Sequence, residues 1–316
     1  MLIIKRYILA ACLFATPLAG NMGNAYATPA TAESLEHILQ TEQVPQMLEE
    51  TMGQLEALQN QELTTEADPA QRQKKQAMVR EISAFLHEEF AWDKLQPMII
   101  KAYQEKFSEE DAQAMLTYYA TPGGKLYVEK FKPLAFKFAL QLGSNIQPQL
   151  ATALSMADGT QALAKKLPAA WKPVTAQEKT ALRLLQITLK PQFEERMVRV
   201  QEGMANAMRP AWGKNFDKNN LRLGQALRQQ LNFDAVIAPM YAKTLVAGLS
   251  EAEMRTLIDS ESQPTRKHQT ALIESAEENM QQVFQTWLQT DLQPKLIAKM
   301  MASMATTPEA SQSNAQ

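Results

Sequence analysis

Apolar side chains recur along most of this chain at intervals of three and four. Leu35, Ile38 and Leu39, then Leu48, Met52 and Leu55, keep mostly to one side of a helical projection. Tyr127, Phe131, Leu134, Phe138 and Leu142 advance by steps of four, three, four and four. Leu182, Leu185, Leu189, Phe193, Met197, Val200 and Met204 do the same over more than five turns. Each stripe marks an amphipathic helix that must bury one face against another helix. No Val- or Ile-rich alternating run suggests a strand, and the good helix formers Ala, Leu, Gln, Glu, Lys and Met dominate. The pattern predicts an all-α protein.

The stripes are punctuated by matching signals, which point to an internal duplication. Leu39-Gln40 followed by Pro45-Gln46 recurs as Leu185-Gln186 followed by Pro191-Gln192, 146 residues on. Trp92-Asp93 with Pro97-Met98 recurs as Phe233-Asp234 with Pro239-Met240, at 141 and then 142. Ser108-Glu109 recurs as Ser250-Glu251 and Pro122 as Pro264, both at 142. Gln147-Pro148-Gln149-Leu150 returns as Gln293-Pro294-Lys295-Leu296 at 146. Five matches in one order favour duplication over chance. The expected organisation is two tandem helical-bundle repeats, 28–156 and 180–304, joined by a linker at 157–179. A tail of small, polar, aperiodic residues, 305–316, is expected to be disordered.

Helix boundaries follow from the same signals. Ser108 and Ser250 each precede an acidic turn, so each reads as an N-cap whose hydroxyl accepts from first-turn amides. Leu249 is placed to staple against Met254. Asp68-Pro69 gives another start, with Pro at the first helical position. Asp93 and Asp234 are expected to cap the helices that follow them. The linker holds Gly159, Pro168 and Pro173, room for a short helix around Gln161–Leu167, and Trp171, expected to dock on a repeat.

Composition changes the picture chiefly at the N-terminus. Lys5 and Arg6 precede a short apolar core, Tyr7 to Gly20, and Ala25-Tyr26-Ala27 supplies small residues for signal-peptidase cleavage. The core falls well below the roughly 20 residues that span a bilayer. Residues 1–27 are therefore expected to be a cleaved signal, with cleavage after Ala27 and a periplasmic destination. Leu9-Ala10-Ala11-Cys12 matches a lipid-attachment motif, but only five residues separate Arg6 from Cys12 and apolar sequence continues beyond it; lipidation is set aside. Cys12 is the only cysteine, so the mature chain would hold no disulfide, thiol nucleophile or zinc–cysteine site. No later stretch is apolar enough to span a membrane. Subtracting Lys5 and Arg6 from the 32 basic residues leaves 30 against 34 acidic ones, a mature charge of −4. Without a basic block, nucleic acid is not an expected partner.

Catalytic constellations are sparse. The three histidines, His37, His87 and His268, lie far apart. His87-Glu88-Glu89 lacks the second histidine of a zinc-protease helix, since Ala91 stands at the i+4 position. No nucleophile elbow of the Gly-x-Ser-x-Gly kind occurs. Seventeen methionines, Met300-Met301-Ala302-Ser303-Met304 among them, offer thioethers to Cu(I), but their helical spacing favours gap-filling in a core. No cofactor, metal ligand or catalytic residue is expected.

The most distinctive string is Leu116 to Lys130, LTYYATPGGKLYVEK. Gly124-Lys125 evokes a phosphate loop, but that loop needs Gly where Tyr119 stands and Ser or Thr where Leu126 stands. A helix from Ser108 to about Ala120, a cap at Thr121 and Pro122 in the next first turn account for the break. Two readings stay open for Tyr118, Tyr119, Thr121, Gly123, Gly124 and Lys125. One is a close-packed helix corner; the other is a ligand site in which glycines expose first-turn amides to an anion between tyrosine walls. The second copy keeps Pro264 but has neither the tyrosines nor the glycines, so the break is scaffold and the rest belongs to copy one.

Phe107-Ser108-Glu109-Glu110 followed by Tyr118-Tyr119-Ala120-Thr121-Pro122-Gly123-Gly124-Lys125 resembles the bacterial family called domain of unknown function 2059. Its hallmark is an acidic helix start, a Tyr-Tyr pair, Thr-Pro, any residue, then Gly. Tyr118, Tyr119, Thr121, Pro122 and Gly124 match it, and the likeness extends over roughly Phe85 to Leu134. The resemblance implies an exported helical bacterial protein and carries no activity, cofactor or catalytic residue. The expected function is non-enzymatic binding of a protein or small ligand in the cell envelope. A carboxylate-dependent hydrolase with a cleft between the repeats, and an envelope chaperone, are the alternatives.

Overall fold

Residues 28–64 and 68–305 are described by a computed structural model. The expected signal segment and most of the expected tail lie outside those residues. Apart from one isolated bridge between Pro29 and Ser108, the described residues are helical or irregular, so the chain is all-α. In order the helices are α1 (Ala32–Thr41), α2 (Val44–Thr64), α3 (Pro69–Glu89), α4 (Trp92–Gln104), α5 (Glu109–Ala120), α6 (Pro122–Leu126) and α7 (Lys132–Asp158). After a connector come α8 (Ala176–Thr188), α9 (Lys190–Trp212), α10 (Phe216–Gln230), α11 (Ala238–Gly248), α12 (Glu251–Glu261), α13 (Pro264–Trp287) and α14 (Gln293–Ala305). Wide π turns join α6 to α7 at Tyr127–Phe131 and α13 to α14 at Leu288–Leu292.

The caps explain why helices start where they do. Asp68 accepts from the Ala70 amide at 2.9 Å, with Pro69 at the first position of α3. Ser250 and Glu253 form a reciprocal box, the serine hydroxyl accepting from the Glu253 amide while Glu253 accepts from Ser250 N–H at 2.7 Å. Thr175 and Glu178 build a second box at α8. Two expected caps are corrected. Asp93 lies within the first turn of α4, whose N-cap, Ala91, makes no side-chain bond. Asn232, not Asp234, accepts from the Ala235 amide, because Lys190 engages both Asp234 oxygens at 2.8 and 3.1 Å.

The connector is also corrected: α7 runs to Asp158 and no helix forms at 161–167. The Gln229 amide donates to Ala164 O and accepts from Ala164 N, holding that stretch extended. Trp171 docks on an apolar core, its backbone N–H bonded to Asp234 O at 2.8 Å.

The chain divides into two compact units, one continuous, Glu109–Ser275, and one split, Thr28–Ser108 with the residues from Ala276 on. Neither coincides with one expected repeat. In the continuous unit the stripe of α7 is the core's spine: Phe138 and Leu142 enter one cluster with Leu184, Leu185, Tyr241, Leu245 and Met254. Further along, Ile146, Ala153 and Ala157 enter another with Trp212, Leu223 and Leu227. The split unit packs α1 against α4 and α2, α2 against α3, and α3 against α14. Leu35, Ile38, Leu39, Ile82, Leu86, Leu95, Ile99, Leu292 and Leu296 are buried in it. At about 25 cal/mol per Å² of apolar surface, these clusters supply the driving force for helices that propensity alone leaves marginal.

Candidate functional site

The Leu116–Lys130 segment folds as the end of α5, a corner, the five-residue α6 and the π turn. Thr121 makes the corner: its hydroxyl donates to Tyr118 O at 2.7 Å and accepts from Gly124 N–H at 3.0 Å. The glycines are fixed by proximity, since neither has positive φ. A Cβ on Gly123 would lie 2.5 Å from Ser260 Oγ, and one on Gly124 would lie 2.0 Å from Tyr118 O. Both are buried. With the Gly124 amide taken by Thr121, the corner does not present the open first turn that the anion reading needs. Lys125 is exposed.

The tyrosines enclose a side chain of the same chain, Arg266 on α13. Its guanidinium carbon sits 4.5 Å from the centre of the Tyr118 ring and 4.7 Å from that of Tyr127. Arg266 is 2% exposed, and its Nε donates to both oxygens of Glu261, at 3.1 Å each. Glu261, itself buried at the end of α12, accepts a further bond from the Tyr118 hydroxyl at 2.5 Å. Ser260 donates to the same hydroxyl at 3.3 Å. Burial, then the Glu261 charge, push the Tyr118 phenol above its ordinary range, so it stays protonated and donates. Burial opposes the charge on Arg266, but Tyr127, Glu261, Tyr119 and Tyr118 outweigh it and keep the guanidinium protonated. From the clamp an aromatic path leads inward, Tyr127 to Phe131 at 5.6 Å and Phe131 to Tyr241 at 6.5 Å. Tyr241 stacks on Phe138 at 4.2 Å.

The structure thus gathers Tyr118, Tyr119, Thr121, Gly123 and Gly124 at one corner and leaves Lys125 at the surface. Sequence reasoning missed Tyr127, Ser260, Glu261 and Arg266. A signal existed: at the 142-residue offset of the sequence matches, Ser260 lines up with Tyr118 and Arg266 with Gly124.

Other chemistry stays dispersed. His268 pairs with Asp111 at 3.3 Å and His87 with Glu56 at 3.6 Å; His37 is exposed. Hydrogen bonds pull several carboxyls down: Glu89 through Lys94 and Lys295, Glu178 through the Thr175 and Val174 amides, and Glu253 to about 2 through Lys130 and Ser250. Glu274 moves the other way, raised chiefly by burial, with Gln192, Arg196, Glu195 and Arg199 around it. Among the described residues no group of three or more His, Cys, Asp or Glu is placed to hold a metal. No helix among them is long and apolar enough to cross a membrane. Met301 is exposed, while the side chains of Met300 and Met304 lie outside the description.

The fold and this corner define an all-α protein built around a tyrosine clamp on a buried ion pair. Residues 93–152, which contain the corner, match the family described as "uncharacterized protein conserved in bacteria (DUF2059)". No curated protein and no solved structure gives a significant match to the chain.

Proposed function

We propose that this chain is an exported, non-enzymatic binding protein of the bacterial cell envelope, built by duplication of one helical unit. The observation that carries the non-enzymatic part is the Arg266 clamp. The most distinctive motif in the sequence spends its side chains on an internal ion pair and on helix contacts, so it holds architecture rather than substrate. The carboxyls with lowered pKa serve as caps and ion-pair partners, the opposite of what a general acid needs.

One observation keeps the hydrolase reading as a second candidate. Glu274 is held protonated more readily than usual beside Glu195, which is the setting of a catalytic acid. Purified mature protein should bind a component of the envelope fraction saturably and show no hydrolysis across glycoside, ester and peptide substrates. Turnover that disappears in Glu274→Gln, with the helical circular-dichroism signal intact, would overturn the proposal. Export is tested by fractionation and N-terminal sequencing, with Thr28 as the expected first residue.

A further inference from the structure

We infer that the two copies are interlocked: each sends its last helix into the core of the other, and the tyrosine corner is the docking surface between them. The inference rests on the duplication and is independent of whether the protein binds or catalyses. Element by element, α1 to α4 correspond to α8 to α11, α5 to α12, and α6–α7 to α13–α14. Two side-by-side bundles would place α7 on α3 and α14 on α10. The packing is the reverse in both units.

In the continuous unit α7, from copy one, lies on α10 and α11 of copy two. Phe138 stacks on Tyr241, and Leu134 fills the space over Gly248, where a Cβ would come within 2.6 Å of it. The end of α7 is capped from the same side: Arg222 on α10 donates to Met156 O at 2.7 Å and to Ala157 O at 3.2 Å. Those are last-turn carbonyls that α7 cannot satisfy itself. In the split unit α14, from copy two, lies on α3 of copy one. Lys295 reaches Glu89 at 3.2 Å and Lys299 stands over the Phe85 ring at 5.6 Å. On the approach to α14, Phe284 and Trp287 pack edge-on to Phe90.

The corner fits the same scheme. Tyr118 meets Ser260, its counterpart 142 residues on, and Lys130 pairs with Glu253 at 2.5 Å across α12. Contacts between equivalent positions are the signature of an isologous interface, the kind that joins identical subunits. Here both partners are parts of one chain. The partner that the hallmark corner recognises is therefore the second copy, through its guanidinium–carboxylate pair.

The test uses the whole chain with a protease site at Lys165–Ala169, an exposed part of the connector. The folded protein is treated at low concentration with a carbodiimide, which joins a lysine to a carboxylate already in contact, then cut and run under denaturing conditions. The interlock predicts a band at the mass of the intact chain and cross-linked peptides Glu89–Lys295 and Lys130–Glu253. Lys190–Asp234, at 2.8 Å within copy two, forms in either arrangement and reports that the reaction worked. Two separate half-chain bands, with the Lys190–Asp234 link present, would overturn the inference and leave the binding proposal untouched. Turnover by the protein would do the reverse.

Discussion

Replacing Arg266 by methionine keeps most of the volume between the two tyrosine rings and removes the charge. Glu261, about as buried as its partner, is then left with the Tyr118 hydroxyl as its remaining bond from the clamp. Stranding one member of a buried pair costs about 3–5 kcal/mol, and the two ring contacts add about 1 kcal/mol each. Methionine keeps part of the ring contact, so about 4 kcal/mol is expected at pH 7. For a unit of this size that is a fall in Tm of about 8–16 °C. A double-mutant cycle separates the pair from its surroundings. Glu261→Gln with Arg266→Met should restore most of the loss, because a buried pair with Arg266 Nη1 left unpartnered contributes little over neutral side chains of similar size. Urea titrations followed by circular dichroism at pH 7 supply all four corners. A cost below about 1 kcal/mol for Arg266→Met, or a coupling energy below about 0.5 kcal/mol, would refute the clamp as a structural element.

Three further substitutions probe the contacts around it. Gly124→Ala drives a methyl into the Tyr118 carbonyl and should cost more than Gly123→Ala, whose clash is with the Ser260 side chain; Ser260→Gly should rescue Gly123→Ala and leave Gly124→Ala unimproved, as read by Tm. Glu253→Gln keeps an acceptor for the Ser250 amide but removes the charge that Lys130 meets, and should cost about 0.5 kcal/mol at pH 7. Glu253 has a folded pKa of about 2 against an ordinary 4.5, so its contribution is complete above pH 4.5 and lost as pH falls towards 2; Tm curves of variant and parent should converge over that interval. Tyr241→Phe deletes a buried hydroxyl that has no partner in the protein while leaving the ring on Phe138, and should raise stability by about 1 kcal/mol; a loss of that size would show that the hydroxyl is satisfied.

The helical class was legible because a stripe such as Tyr127–Leu142 has one period and one physical requirement, a covered face. The stripe does not say what covers it. Nothing in the spacing of Phe138 and Leu142 distinguishes burial against α3 from burial against α8 and α11, and Leu184, Leu185, Tyr241 and Leu245 of those two helices are what they cluster with. Local chemistry was readable for the same reason that it is local: the Ser250–Glu253 box and the Asp68-Pro69 start each involve side chains within four residues. Asp234 misled because Lys190, 44 residues away in the chain, outcompetes a neighbouring amide for its oxygens. At the corner the break at Thr121-Pro122 could be read, whereas Glu261 and Arg266 sit in a polar stretch that resembles a solvated turn. Their burial depends on tyrosines more than 130 positions earlier, a dependence that no window of sequence contains.

The proposed interlock gives a physical reason for the lopsided corner. In a symmetric pair of identical chains each residue near the axis faces its own copy, so an arginine there meets an arginine and a tyrosine meets a tyrosine. Once the two copies share a chain, the two sides of that contact are free to differ, and complementary substitutions become available that symmetry forbids. On the duplicated reading, Tyr118 and Tyr119 stand where copy two has Ser260 and Glu261, and Gly124 stands where copy two has Arg266. The differences fit one another: Gly123 lets α6 close on Ser260, and the space beside the rings takes a long cation with its carboxylate. On that reading, the difference between Ser260–Arg266 and Tyr118–Gly124 is no decay of an unused duplicate. It is what a self-contact turns into when one side becomes the receptor and the other the ligand, which is why Arg266 and Glu261 should be as sensitive to substitution as the hallmark tyrosines they fill.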